Sequence, residues 1–175
     1  METVTAQHRA RAPLAAALCS LAALLAGCGA GRVVDGVYEN AATGFRIPVP
    51  PAPWVPASVP DVDVAFRHPS AAATIAAFSD CEAPRRAPLR ILARRLFFGL
   101  KEREVVGQET LSLDGAEALR TVVRADQGGT PVVVESVVMR RGACVYDLVL
   151  AAPPAAYPAL RADFERVAAG WKSLP

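Results

Sequence analysis

The chain changes its hydrophobic period three times, and each change marks an element. Residues Gly36 to Glu39 and Phe45 to Ile47 alternate around Asn40-Ala41-Ala42-Thr43-Gly44, the pattern of two short strands joined by a turn. Val62 to Arg67 sets Val62, Val64 and Phe66 against Asp63, Ala65 and Arg67, a half-buried strand, and Ala72 to Ser79 supplies its apolar partner. From Pro88 to Glu102 the period lengthens: Leu89, Leu92, Leu96, Phe97 and Leu100 predict a helix with one buried face.

The period then returns to two. Glu104 to Leu113, Ala116 to Ala125, Pro131 to Arg141 and Ala143 to Ala151 predict four successive strands. Their breaks fall at Asp114-Gly115, Asp126-Gln127-Gly128-Gly129 and Arg141-Gly142, which makes the set an antiparallel meander. Pro154 to Trp171 closes the chain as a helix whose Tyr157, Leu160, Phe164, Val167 and Trp171 share one face, suited to packing on a sheet.

Between these patterns lies a proline series, Pro48, Pro50, Pro51, Pro53, Pro56 and Pro60, carrying Trp54. Proline has no backbone donor, so this stretch is neither central strand nor helix. It reads as an extended surface segment with Trp54 folded onto the core; the competing reading is a ligand for an aromatic groove in a partner.

Ahead of the domain, Leu25-Ala26-Gly27-Cys28 ends an apolar run behind Arg9 and Arg11, the pattern of a lipoprotein signal peptide with Cys28 as the acylated residue. The run from Leu14 to Ala26 falls short of the roughly 20 residues that a membrane-spanning helix needs. Expected, therefore, are a leader over 1–27, a lipidated tether over 28–35 and a single domain over 36–175. Three acyl chains on Cys28 exceed the two lipid signals that hold a protein stably to a membrane. Gly29 follows the cysteine, which favours the outer membrane, facing the periplasm.

Cysteine usage fits export. Cys19 leaves with the leader and Cys28 takes lipid, so Cys81 and Cys144 remain as an even pair in an oxidising compartment and are expected to form a disulfide; two buried free thiols are the alternative. The formal net charge is +2, and Glu2, Arg9 and Arg11 belong to the leader, so the mature balance is near neutral and implies no attraction to nucleic acid. Locally, Arg85, Arg86, Arg90, Arg94, Arg95, Lys101 and Arg103 cluster around the first helix, diluted by Glu102 and Glu104. Beside an anchoring membrane such a cluster reads either as a solvated helix face or as a lipid contact.

The opening Tyr38-Glu39-Asn40 and Gly44-Phe45-Arg46-Ile47-Pro48 hairpin is followed by Trp54, the Leu113-Asp114-Gly115-Ala116-Glu117-Ala118 turn, the Tyr146-Asp147-Leu148-Val149-Leu150 strand and the final Phe164 to Trp171 helix. In this order they resemble the PsbP-like superfamily, which also holds Mog-type Ran-binding proteins and several bacterial lipoproteins. The resemblance spans about Tyr38 to Leu174. It implies an α+β fold, an antiparallel sheet of six to seven strands flanked by helices in an α/β/α sandwich. It also implies a role in docking on other macromolecules, with no shared catalytic residues. The partners of family members are not carried over, because fold is a poor guide to partner.

Candidate chemistry is thin. His68 is the one histidine outside the leader, and it stands before Pro69 at a strand end; no cofactor or metal site is expected. Serines lack a Gly-x-Ser-x-Gly setting, and Gly128-Gly129 joins strands without opening a helix. Asp61, Asp63 and Asp80 could converge, and Glu117 and Glu135 could face one another across a hairpin as a hydrolase's carboxylates would.

Three roles follow in order. The first is a non-catalytic envelope lipoprotein that binds another protein or an envelope component. The second is a small-molecule or lipid binder with an apolar pocket between the sheet and the helix Pro88 to Glu102. A carboxylate-based hydrolase comes last.

Overall fold

The computed structural model describes residues 31–84 and 86–174. The expected leader over 1–27, the expected lipidation site Cys28, and Arg85 lie outside the described residues, as does most of the stretch before the first strand. Among the described residues eleven strands form two antiparallel sheets, on which two helices pack.

The larger sheet has seven strands: β4 (Val55–Ala57), β5 (Val64–His68), β6 (Ala73–Asp80), β10 (Cys144–Ala152), β9 (Thr130–Arg141), β8 (Ala116–Gln127) and β7 (Lys101–Leu113), in that spatial order. The smaller sheet holds β1 (Arg32–Val34), β2 (Val37–Asn40), β3 (Phe45–Pro48) and β11 (Lys172–Ser173). Helix α1 (Leu89–Arg95) covers one face of the large sheet, whereas α2 (Tyr157–Ala169) and the small sheet cover the other. The architecture is the expected PsbP-like α/β/α sandwich, with the first hairpin set apart in a sheet of its own.

Strand composition follows from this layering. β9 and β10 are covered on both faces, and accordingly read as nearly unbroken apolar runs, whereas edge strand β7 is exposed along most of its length and carries charge. One face of β9 gives Val137 and Met139 to a core shared with Phe45, Ile47, Phe66, Phe164 and Trp171. Its other face gives Val132, Val134 and Val138 to the layer under α1. An aromatic chain ties the two sheets together, with Phe45 and Tyr146 at 5.5 Å and Tyr146 and Trp171 at 5.0 Å between centroids. The Tyr146 hydroxyl also donates to the Thr43 carbonyl at 2.5 Å.

Three expectations are corrected. The helix expected over Pro88 to Glu102 stops at Arg95. Beyond it Leu96, Phe97 and Phe98 donate to carbonyls three residues back, a tightened turn, and Gly99 takes a left-handed φ of 87° that is cheap only for glycine. The chain is thereby freed to pair Lys101 with Asp126 and start β7 early. Second, Arg32–Val34, expected as tether, forms β1 and pairs with β2 across Asp35-Gly36, both at positive φ as a tight hairpin turn requires. Third, the last helix ends at Ala169, and Trp171 drops into the core ahead of the unforeseen β11.

The proline series behaves as its chemistry dictates. Beyond Pro48, which ends β3 opposite Val37, only Val55–Ala57 pairs, at the sheet's edge, where Pro56 has no inner donor to lose. Trp54 is buried against the core, and its Nε1 donates to Asp163 Oδ2 at 3.0 Å, which fastens the segment to α2.

Candidate functional site

The most heavily coupled polar group lies where α2 crosses β8 and β9. Antiparallel register sets Arg120 opposite Val137 and Glu135 opposite Val122, so the two charged residues are diagonal neighbours on the α2 face. On β7, Glu109 is directly opposite Arg120. From above, Tyr157, Arg161 and Glu165 descend from α2 at intervals of four residues, which puts them on one helical face.

The Glu135 side chain is only 1% exposed. It accepts Arg120 Nε at 2.6 Å and the Tyr157 hydroxyl at 2.5 Å, and Arg161 Nε stands at 3.8 Å. Arg120 in turn donates to Glu109 at 2.8 Å and to Glu165 at 3.3 Å, while Arg161 pairs with Glu165 at 2.9 Å. A buried carboxylate without such partners would be too costly to keep ionised.

Electrostatics follow the geometry. Burial pushes the Tyr157 phenol up to about 12, and the bond to Glu135 adds to the rise. For Arg120, burial works against the charge, but the bonds and charges of Glu135 and then Glu109 outweigh it and hold the guanidinium above its ordinary range. Tyr157 thus stays protonated as a hydrogen-bond donor to Glu135, and Arg120 stays a cation. Next to them an open groove of about 400 Å³ runs between β7, β8 and the start of α2, lined by Gln108, Glu109, Arg120, Tyr157 and Arg161 with Val106 and Val122. Chemically, the groove can receive a polar surface group at Arg161, because the Gln108 amide is donated to Thr121 Oγ1 at 3.1 Å.

The other candidate residues part company. Cys81 and Cys144 are joined as a disulfide. Glu117 and Glu135 do not face one another: Glu117 pairs with Ser112, and by strand alternation it points to the opposite face of the sheet from Glu135. Asp63 is occupied by Asn40 Nδ2 at 3.0 Å and Ser79 Oγ at 2.6 Å, Asp80 caps the Glu82 amide at 2.9 Å, and Asp61 is an exposed turn residue at positive φ. His68 packs edge-on to Trp54. Among the described residues no group of three or more His, Cys, Asp or Glu could hold a metal ion.

The pocket expected between the sheet and the first helix is filled. Leu92 and Ala93 pack on Val138 and Val145, and Phe97 packs on Val123, Ala125, Val132 and Val134. An outer cleft of about 320 Å³ lies beside this helix, bordered by Arg94, Phe97, Arg103, Val105 and Val123.

Glu135 is a candidate in the sequence, but its partner is Arg120 and not Glu117, and Tyr157, Arg161 and Glu165 join it only through the fold. A signal existed: Glu135 interrupts Val132-Val133-Val134 and Val137-Val138-Met139, and a charge inside a doubly covered strand requires a counter-charge.

No family model matches the chain, and no curated protein matches it in sequence. Solved structures do match its fold. The cyanobacterial PsbP (CyanoP) of Synechocystis aligns with a TM-score of 0.61 at 18% identity, covering 85% of this chain and 98% of that one. LpqN of Mycobacterium tuberculosis, described as involved in cell envelope biogenesis, aligns at 0.56 with 15% identity over 75% of this chain and 83% of its own. A Pseudomonas aeruginosa protein of unknown function aligns at 0.52 with 15% identity, covering 84% and 98%. The fold is PsbP-like.

Proposed function

We propose that the chain is an exported lipoprotein, held in the cell envelope by acyl groups on Cys28, whose sandwich domain acts by binding another protein or an envelope component. The outer membrane, facing the periplasm, is its proposed place. One observation carries the reading: Leu25-Ala26-Gly27-Cys28 ends an apolar leader a few residues before the first strand of a domain whose other two cysteines are paired. That combination suits an oxidising compartment and a short leash. Two further features support it. The Glu135 network spends its donors and acceptors on itself, which suits a rigid binding scaffold better than acid-base work. LpqN, with the same fold, is described as serving envelope biogenesis.

The test is metabolic labelling with a fatty acid. The native chain takes label and loses its leader, and Cys28→Ala stays unlabelled and uncut; a labelled Cys28→Ala variant defeats the anchor. Crosslinking in cells followed by purification then recovers a reproducible partner.

A small-molecule binder is the second reading, favoured by the open groove beside Tyr157 and Arg161. Native mass spectrometry of gently purified protein decides it, since a retained ligand adds mass.

A further inference from the structure

We propose that the outer face of α1, together with the turn that follows it, docks on the surface of an anionic lipid bilayer, with Phe98 entering the interface. The proposal rests on the reading of the chain as an envelope lipoprotein, which supplies the bilayer.

Charge is segregated to this face. Between Ala83 and Lys101 lie six of the chain's 19 basic residues and none of its 17 acidic ones, so the rest of the chain is acidic on balance. The inner side of α1, Leu92 and Ala93, is buried, and the outer side carries Arg90, Ile91, Arg94 and Arg95 to solvent. Among the described residues Arg95 alone of these arginines meets a carboxylate, Asp80 at 3.8 Å.

At the tip of the turn Phe98 is 90% exposed, and Ile91 is 43% exposed behind it. The adjacent cleft is lined by Arg94 and Arg103 together with Phe97, Val105 and Val123, a mix of cationic and apolar groups that a phosphate headgroup with its acyl chain would meet, although one Arg103 nitrogen is donated to the Phe97 carbonyl at 3.3 Å. A protruding aromatic next to exposed arginines, with Glu102 and Glu104 the nearest acidic residues after it in the chain, combines the two attractions that hold proteins at bilayer surfaces. A second copy fits badly, because two such faces would repel. Each basic residue near an anionic surface strengthens attachment about fivefold.

Brominated-lipid quenching tests the proposal. The full chain, expressed with its leader and purified from membranes, carries Phe98→Trp as reporter; native Trp54 and Trp171 are 6% and 0% exposed and so shielded. The protein is reconstituted into brominated vesicles of phosphatidylcholine alone or with phosphatidylglycerol. Strong quenching is expected only in the anionic vesicles, and Arg90→Glu with Arg94→Glu added should weaken docking at least tenfold. Absent quenching in anionic vesicles, or equal quenching in both, overturns the proposal. Mass spectrometry of the same sample reports acylation at Cys28 separately, so failure of the anchor and failure of docking are read independently.

Discussion

Glu135 on β9 and Arg120 on β8 are joined at 2.6 Å beneath the first turn of α2, and the carboxylate is cut off from water. Removing Arg120 leaves the buried Glu135 with Tyr157 and the more distant Arg161, and removing Glu135 leaves Arg120 with the more exposed Glu109 and Glu165, so each loss costs up to about 3–5 kcal/mol, although the intact pair need not exceed an apolar substitute in stability. Arg120→Met or Glu135→Ala alone should lower the unfolding free energy by about that amount. The double variant Arg120→Met, Glu135→Leu should recover most of it. Urea titration under non-reducing conditions checks both, and a double variant as weak as the singles would show that Tyr157 and Glu109 depend on the pair.

Asp147, on the opposite face of the same sheet, should give the fold a pH dependence of unusual sign. Burial pushes its carboxyl up from 3.8 to about 7; Arg95 opposes the rise and Asp80 adds to it. Between those values the folded chain keeps a proton that the unfolded chain has lost, so stability falls as pH rises from about 4 to about 7, by at most ~1.4 kcal/mol per unit. Asp114 acts at the other end. The Ser173 amide, followed by the Lys172 and Ser173 side chains, holds it down to about 2, so its contribution is present above 3.8 and is lost as pH falls toward 2. Thermal melts across pH 3 to 8 should therefore peak in mildly acidic buffer. Asp147→Asn should flatten the neutral limb and raise the melting temperature at pH 8.

The meander and α2 were legible because each satisfies one rule along a continuous stretch. Strands β7 to β10 turn at Asp114-Gly115, Gly128-Gly129 and Gly142, all at positive φ, and the α2 stripe buries Leu160, Phe164 and Val167. Failure came where tertiary contacts outweigh local period. Leu96, Phe97 and Leu100 continue a helical spacing, yet pairing along β7 and the turn at Gly99 end the helix first. β1 and β11 are too short to show alternation, although Asp35-Gly36 is a hairpin signal that was there to be read. The Arg120 network joins β7, β8, β9 and α2, and its pairings depend on strand register, which no single window of sequence displays.

Trp54 should prove to be the rivet of the proline segment. Its ring is buried and its Nε1 reaches Asp163 on α2, far along the chain. Trp54→Phe keeps most of the apolar contact and removes the bond to a charged acceptor, at a cost of about 1.5 kcal/mol. Trp54→Ala also opens a cavity, raising the loss to about 3–5 kcal/mol. Limited proteolysis should cut the alanine variant within 48–60 before the rest of the domain, and an unchanged cleavage pattern would show that β4 holds the segment unaided.

The bond between Cys81 and Cys144 closes a loop with a sequence separation of 63, and it joins the end of β6 to the start of β10, two central strands already in register from Val145 and Asp80 onward. Its stabilisation therefore comes chiefly from what it denies the unfolded chain, roughly 4 kcal/mol in the chain-entropy account. Cys81→Ser with Cys144→Ser should retain the native circular dichroism spectrum and lose about that much in urea. A reduced sample of the native chain should match the double variant. The loop also contains the whole of α1, whose seven residues lack a side-chain N-cap. Hydrogen exchange at Leu92 and Ala93 should accordingly rise more on reduction than exchange at Leu160 and Phe164. Equal acceleration at both helices would mean that the bond stabilises the fold globally and does nothing particular for the layer it encloses.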